Sequence, residues 1–367
     1  MVPKRVVLGL VLLLLAPGLA KADKRDVFTV AAVPVDATAA SANAAREQAR
    51  ADGERRAYEI MLDRLTLASD HARLPPPTQE LLNSLIASFE VANERTSSVR
   101  YLARYSYHFR ADAVRKLLRD AGIPFADTPS KPLLVLPVMA GTGAPVLWDD
   151  PNPWRDAWNT HPPQAGLVPL AMPNGDIEDV QAIDAASAVK GDDAQLSAVS
   201  QHYGGDDVLV AVATLDASVS PHTLAVAATR YSPGSQAAPQ NWTKNTVAAP
   251  DESDGDLLAA SVADTAAAVE DSWKQANILD YGHNGTLLVT VPTGDLQRFA
   301  DVRDRLSGVP AIQKSELLSI DRTAAHMAIH YVGDTAQLRS ALAQRDLALD
   351  GQDPDWILER RAAPAPP

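Results

Sequence analysis

Trp148-Asp149-Asp150-Pro151-Asn152-Pro153-Trp154-Arg155-Asp156-Ala157-Trp158 is the stretch best equipped for chemistry, because half of the six tryptophans fall within it. Indole faces stack on sugar rings, and Asp149, Asp150 or Asp156 would accept hydroxyl hydrogens, so the segment suits a glycan-binding surface. The same residues also read as packing. Asp150 or Asn152 can cap a helix that begins at Pro153. Trp154 and Trp158 then share one face at i, i+4, and large aromatics at that spacing pin a helix to a core. Packing already accounts for both indoles, so burial is the expected outcome.

Other residue types invite chemistry less. His326 and His330 alternate with Met327, Ile329 and Tyr331. On a strand they share a face with backbones roughly 13 Å apart, too far to chelate one ion easily. Arg100, Arg104 and His108 lie on the wet face of an alternating strand over 99–109, with Arg110 just beyond. In an acidic chain this basic stripe suits an acidic partner or guards a sheet edge. Glu178, Asp179 and Asp184, like residues 251–256, are carboxylate-rich helix starts that complement the helix dipole. No nucleophile elbow, zinc-helix motif, Walker loop, dinucleotide fingerprint or EF-hand loop is present. The sequence therefore points to no catalytic residue, no metal ligand and no cofactor site.

Composition narrows the classes further. The chain has 367 residues, a net charge of −13, no cysteine and 46% hydrophobic residues. Its length calls for two or three domains, and its hydrophobic content is too high for a disordered chain. The acidic balance argues against nucleic acid, which needs phosphate-neutralising Lys and Arg, and against docking on an anionic membrane. Without cysteine there are no disulfides, thiolate chemistry or Cys-ligated metals, and no lipid-attached cysteine of a bacterial lipoprotein.

Residues 1–22 read as a secretory signal peptide. Lys4 and Arg5 form the positive region, an apolar run follows to Leu15, and Ala20-Lys21-Ala22 is a small-residue cleavage site before Asp23. The run is too short to span about 30 Å of hydrocarbon, and no later segment reaches 18 uninterrupted apolar residues. The expectation is a soluble mature protein in a bacterial periplasm, with no membrane span after cleavage.

Three segments must position these residues. The first, 23–127, is α+β: a strand over 27–35, a long helix capped by Thr38 with Tyr58, Met61, Leu62 and Leu65 inward, a helix over 78–88, the 99–109 strand and a helix lined by Val114, Leu117 and Leu118. The joint Thr128-Pro129-Ser130-Lys131-Pro132 reads as a linker. The second segment, 131–279, is a layered α/β sheet with continuous apolar strands at 133–138, 167–170 and 208–214. Two antiparallel strands at 223–231 and 242–248 and a long helix at 256–276 complete it. The third, 285–358, follows the order βαββαβ of a ferredoxin-like sandwich, and 359–367 read as a disordered tail.

The first segment resembles the exported bacterial family known as domain of unknown function 2066. The residues that carry the resemblance are Ala44-Ala45-Arg46-Glu47-Gln48-Ala49, Met61-Leu62-Asp63-Arg64-Leu65, the run from Ser106 to Leu118, and Ala121-Gly122-Ile123-Pro124. The resemblance implies an envelope location and no assigned chemistry. The reading is a non-catalytic periplasmic envelope protein, an interaction or scaffold module with an unidentified protein partner. Its alternative is a binding protein or hydrolase for an envelope glycan or peptide, with Trp148, Asp149, Asp150, Trp154 and Trp158 as the surface, or Arg100 and Arg104 facing a partner.

Overall fold

A computed structural model describes residues 26–361 except 142, 164, 280, 282 and 295. The signal segment 1–22 and the end of the tail, 362–367, lie outside the described residues. The described residues form a mixed α/β structure with three sheets. Among the described residues no helix is long and apolar enough to cross a membrane.

In the first sheet β1 (Thr29–Thr38) and β2 (Ile86–Thr96) flank the central β3 (Arg100–Phe109), all antiparallel. Period-2 alternation of β3 buries Tyr101, Ala103, Tyr105, Tyr107 and Phe109. They pack under α1 (Ala42–Leu65), whose stripe Ala45, Ala49, Ala57, Tyr58, Met61, Leu62 and Leu65 is buried. Ser41, rather than Thr38, caps this helix by accepting from the Ala44 N–H, because β1 continues through Thr38. The helix expected over 78–88 stops early. Thr78 caps α2 (Gln79–Leu85), and the chain then enters β2 directly. Arg110 holds that corner by donating to the carbonyls of Ser84 at 2.8 Å and Ile86 at 2.7 Å. After β3, α3 (Ala111–Asp120) buries Val114 and Leu118.

The second sheet has the order β5-β4-β6-β7-β8. The strands are β4 (Leu133–Ala140), the two-residue β5 (Leu170–Ala171), β6 (Asp207–Asp216), β7 (Thr223–Tyr231) and β8 (Gln240–Val247). β4 is parallel to β5 and β6, and the rest are antiparallel. β4 is covered on both faces, as its apolar run requires. Leu134, Leu136 and Val138 pack in one cluster with Leu196 and Val199 of α7 (Asp193–His202). Leu133 and Val135 join a second cluster with Trp154 and Trp158 of α4 (Pro153–Thr160) and with α8 (Asp254–Asn277). Two short helices, α5 (Ile177–Ala182) and α6 (Ala185–Lys190), lie between α4 and α7.

That second cluster also contains the core of the first sheet, from Val30 to Phe109. The first two segments therefore share one apolar core, and the boundary expected at 127–131 is no gap in the packing. Asp127, Thr128 and Ser130 are all buried.

The third sheet has the order β10-β11-β9-β13-β12. Its elements are β9 (Asn284–Pro292), α9 (Leu296–Leu306), β10 (Ile312–Ile320), β11 (Ala324–Val332), α10 (Thr335–Ala343), β12 (Leu347–Gln352) and β13 (Asp355–Arg360). This is one strand more than βαββαβ. β13 inserts between β9 and β12, antiparallel to β12 and parallel to β9. Residues 359 and 360, expected in the tail, are strand. The hairpin turn masked the last strand in the sequence, since Gly351 to Pro354 reads as an end of structure. Asp334 and Gln337 do form a capping box on α10.

Candidate functional site at the junction of the three sheets

The tryptophan segment folds inward. Asn152, buried, caps α4 by accepting from the Arg155 N–H at 3.0 Å. Pro153 at the first helical position then sends Trp154 and Trp158 toward the sheet. The Trp154 indole donates to the Ala211 carbonyl of β6 at 2.9 Å, and the two rings meet edge-on with centroids 5.7 Å apart. Both are buried, so neither offers a face to a sugar. The half-buried Trp148 donates to the Ile183 carbonyl at 2.7 Å. Asp149 is exposed, and Asp150 pairs with Arg155 at 2.5 Å. The glycan platform imagined from Trp148, Asp149, Asp150, Trp154 and Trp158 is thus a packed helix with two carboxylates outside it.

The basic stripe is largely spent as well. Arg100 donates to both carboxylate oxygens of Asp36, at 2.8 and 2.6 Å. His108 Nδ1 lies 2.9 Å from the Thr29 hydroxyl. Arg104 stands exposed, opposite Pro34 on β1 and Ala92 on β2. On β11, His330 and His326 each reach a threonine of β9, Thr286 at 3.0 Å and Thr290 at 3.3 Å.

The segment 126–132 gathers the polar groups instead. The Ala126 N–H donates to the Leu65 carbonyl, and Trp273 of α8 donates to the Thr128 carbonyl at 2.8 Å. The Ser130 N–H donates to the Leu167 carbonyl. The Lys131 N–H donates to Gln344 Oε1 at 2.8 Å. The Lys131 ammonium lies 2.8 Å from Asp206 and 2.6 Å from Asp346. Burial alone would lower its pKa, but hydrogen bonds to Asp206 and Asp346 outweigh that and hold it above the ordinary lysine value. One side chain thus ties the joint to the second sheet and to the third unit.

Two polar cavities flank the joint. One, of about 200 Å3, is lined by Lys131, Asp206, Asp207, Arg230 and Arg361. Its charges are paired: Arg230 holds Asp207 at 2.5 Å, and Arg361 reaches Asp206 at 3.4 Å. The other, of about 250 Å3, lies between the first and third units and is lined by Asp26, Phe28, Arg115, Asp127, Gly308 and Arg345, among others. Arg115 Nε donates to Asp127 Oδ2 at 2.7 Å. Burial raises the Asp127 carboxyl in spite of this contact.

No local pattern marks this junction. Its members come from positions 26 to 361, and no local spacing connects them. Lys131 was visible only as part of a linker.

Comparison with known proteins adds no relative: no family model, no curated protein and no solved structure matches the chain.

Proposed function

We propose that this chain is a non-catalytic envelope protein, exported to the bacterial periplasm, that acts as an interaction module and takes a protein partner along the free edge of β10. The observation that carries the reading is the composition of that edge. β10 ends the third sheet, and Leu317, Leu318 and Ile320 on it are 48%, 57% and 42% exposed. An open edge presents unpaired N–H and C=O groups to which another strand can add. Natural edges are commonly guarded by charge, proline or shortness. β10 runs nine residues, and its second half, Leu317 to Ile320, carries no charge. β2, one of the two outer strands of the first sheet, supplies a weaker second edge with Phe89 and Val91 exposed.

The export signal and the resemblance to an exported family support the location. The inward turn of Trp154 and Trp158 removes the platform on which the glycan-binding alternative stood.

A photo-crosslinking residue at position 318 tests the reading in cells. A discrete adduct with an envelope protein is expected, together with a mature mass that begins at Asp23. The same residue at Asp350, exposed on β12, serves as control. Adducts from 318 no stronger than those from 350 would remove the interaction reading.

A further inference from the structure

The two charges of β10 lie in its first half, two residues apart and of opposite sign. Lys314 and Glu316 stand opposite His330 and Ala328 of β11, and their side chains form an ion pair. Leu288, the β9 partner of Ala328, is 59% exposed, so this is the open face of the third sheet. Ile312, Ser315 and Leu317 stand opposite Tyr331, Ile329 and Met327. Those three are buried in one cluster with Phe299 of α9 and Leu338 of α10, so Ile312, Ser315 and Leu317 take the helix-covered side. The ladder is regular from Lys314 to Leu317, and register shifts occur only on either side of that window.

When two copies of one strand pair antiparallel, the two-fold axis passes between a residue and its own copy, and the residues that flank it pair crosswise. With Ser315 at the axis, Lys314 faces Glu316 of the second copy, and Glu316 faces Lys314 of the second copy. All four groups lie on the open face. Each carboxylate then sits between two ammoniums, and each ammonium between two carboxylates. The Lys314 and Glu316 side chains are 66% and 39% exposed, so both can keep their present contact and turn toward an added strand as well. Opposite charges directly across a ladder favour pairing, and like charges oppose it. Other registers forfeit this match. An axis at Glu316 sets two carboxylates against each other, and an axis at Leu317 sets Lys314 against Ile320. On the helix-covered side the Ser315 axis brings Leu317 toward Ile312 of the second copy, past the unpaired Gln313.

We propose, resting on the reading of β10 as a docking edge, that its partner there is a second copy of this chain, added antiparallel about a two-fold axis through Ser315. The two third sheets then join into one continuous sheet. A two-fold contact closes on itself, so it covers the uncharged stretch from Leu317 to Ile320 in both copies and leaves no new edge for further growth. β8, the outer strand of the second sheet, has no such self-complementary pair. Its one charge is Lys244, which Asp264 of α8 holds. The β10 ladder is short, and an interface of that size gives a reversible dimer set by concentration.

Sedimentation equilibrium of the chain lacking residues 1–22 tests this. The parent should pass from monomer to dimer as concentration rises. Lys314→Glu sets four carboxylates together in its own dimer, and Glu316→Lys sets four ammoniums together, so each variant alone should dissociate at least about tenfold more readily. An equal mixture of the two should recover the parent affinity, because one chain then brings two carboxylates and the other two ammoniums. That recovery also shows that both variants are folded. A parent that stays monomeric up to about 1 mM, or a mixture no tighter than the separate variants, would overturn the proposal. In the monomeric case, an adduct from position 318 with a different protein would leave the β10 edge standing and remove only the self-pairing. The absence of any adduct would remove both.

Discussion

The Nζ of Lys131 lies 2.6 Å from the Asp346 carboxylate, which joins the start of the second sheet to the end of α10. The same ammonium holds Asp206 at 2.8 Å. A residue inside a proline-flanked joint thereby becomes the polar centre of the molecule. Lys131→Met keeps most of the stem packing and removes both ion pairs. Its two partners are nearly half exposed, so solvent screening limits the loss to about 1–2 kcal/mol of stability. Chemical denaturation measures it. Protease access within 126–132 should rise in the variant, because in the parent Ala126 to Thr128 and Ser130 are buried and the segment is hydrogen-bonded to α1, α8 and Gln344. Equal cleavage rates for parent and variant would show that Lys131 does not hold the joint closed.

Asp346 makes the same contact sensitive to acid. Burial raises its carboxyl, but hydrogen bonds and charge from Lys131 and Arg305 prevail and hold its pKa below the ordinary 3.8. A carboxylate depressed in the folded state stabilises the fold above its unfolded pKa, and this contribution fades as pH falls through the folded value. Stability of the parent should therefore drop below about pH 4. Asp346→Asn should start lower at neutral pH and lose less over the same acid range. Parallel curves for the two proteins, from urea midpoints between neutral pH and acid, would exclude Asp346 as the source.

How much of this was legible depended on where the determining signal lies. The alternation from Tyr101 to Phe109 and the stripe from Tyr58 to Leu65 were readable because burial imposes a local period on them. The apolar run Leu133 to Val138 showed a doubly covered strand for the same reason. β2 was missed because, from Ser88 to Thr96, it is exposed throughout, so no period marks it. β13 was missed because six residues after a tight turn carry too little pattern. The junction was invisible for a different reason. Lys131 and Gln344 lie 213 residues apart, and a polar contact at that separation leaves no trace in local spacing. Proline around Lys131 suggested an open linker, whereas Pro129 and Pro132 only fix the path of a chain whose Ala126, Ser130 and Lys131 N–H groups find partners elsewhere.

The two inward tryptophans should separate packing from hydrogen bonding. Trp154→Ala and Trp158→Ala each remove a large buried ring and should cost about 3–5 kcal/mol. The phenylalanine variants should differ from each other. Trp154→Phe strands the Ala211 carbonyl in the core, a penalty of about 1–3 kcal/mol on top of lost volume. Among the described residues the Trp158 indole nitrogen has no partner, so Trp158→Phe loses volume alone. Thermal or urea unfolding should rank Trp154→Phe below Trp158→Phe. The reverse order would mean that the Trp154–Ala211 bond contributes little.

Gly53 tests whether close approach or helix propensity governs α1. It lies in the middle of a 24-residue helix, where alanine is ordinarily better than glycine by about 1 kcal/mol. Propensity alone therefore predicts that Gly53→Ala stabilises the protein. The helix, however, lies directly on the first sheet. A Cβ at position 53 would come within 2.5 Å of the Tyr107 hydroxyl and 2.9 Å of the Val35 side chain. Tyr107 is fully buried and Val35 nearly so, and neither has room to swing away. The helix would have to lift from β1 and β3, loosening Ala49, Ala57 and Tyr58 along with it. Overpacking of this kind costs about 1–3 kcal/mol, which outweighs the propensity gain. Gly53→Ala should lower the urea midpoint, and Gly53→Val should lower it further. An alanine variant more stable than the parent would show that the helix and sheet can separate by a few tenths of an ångström without loss, and that the tight contact at Tyr107 is not what sets the distance between them.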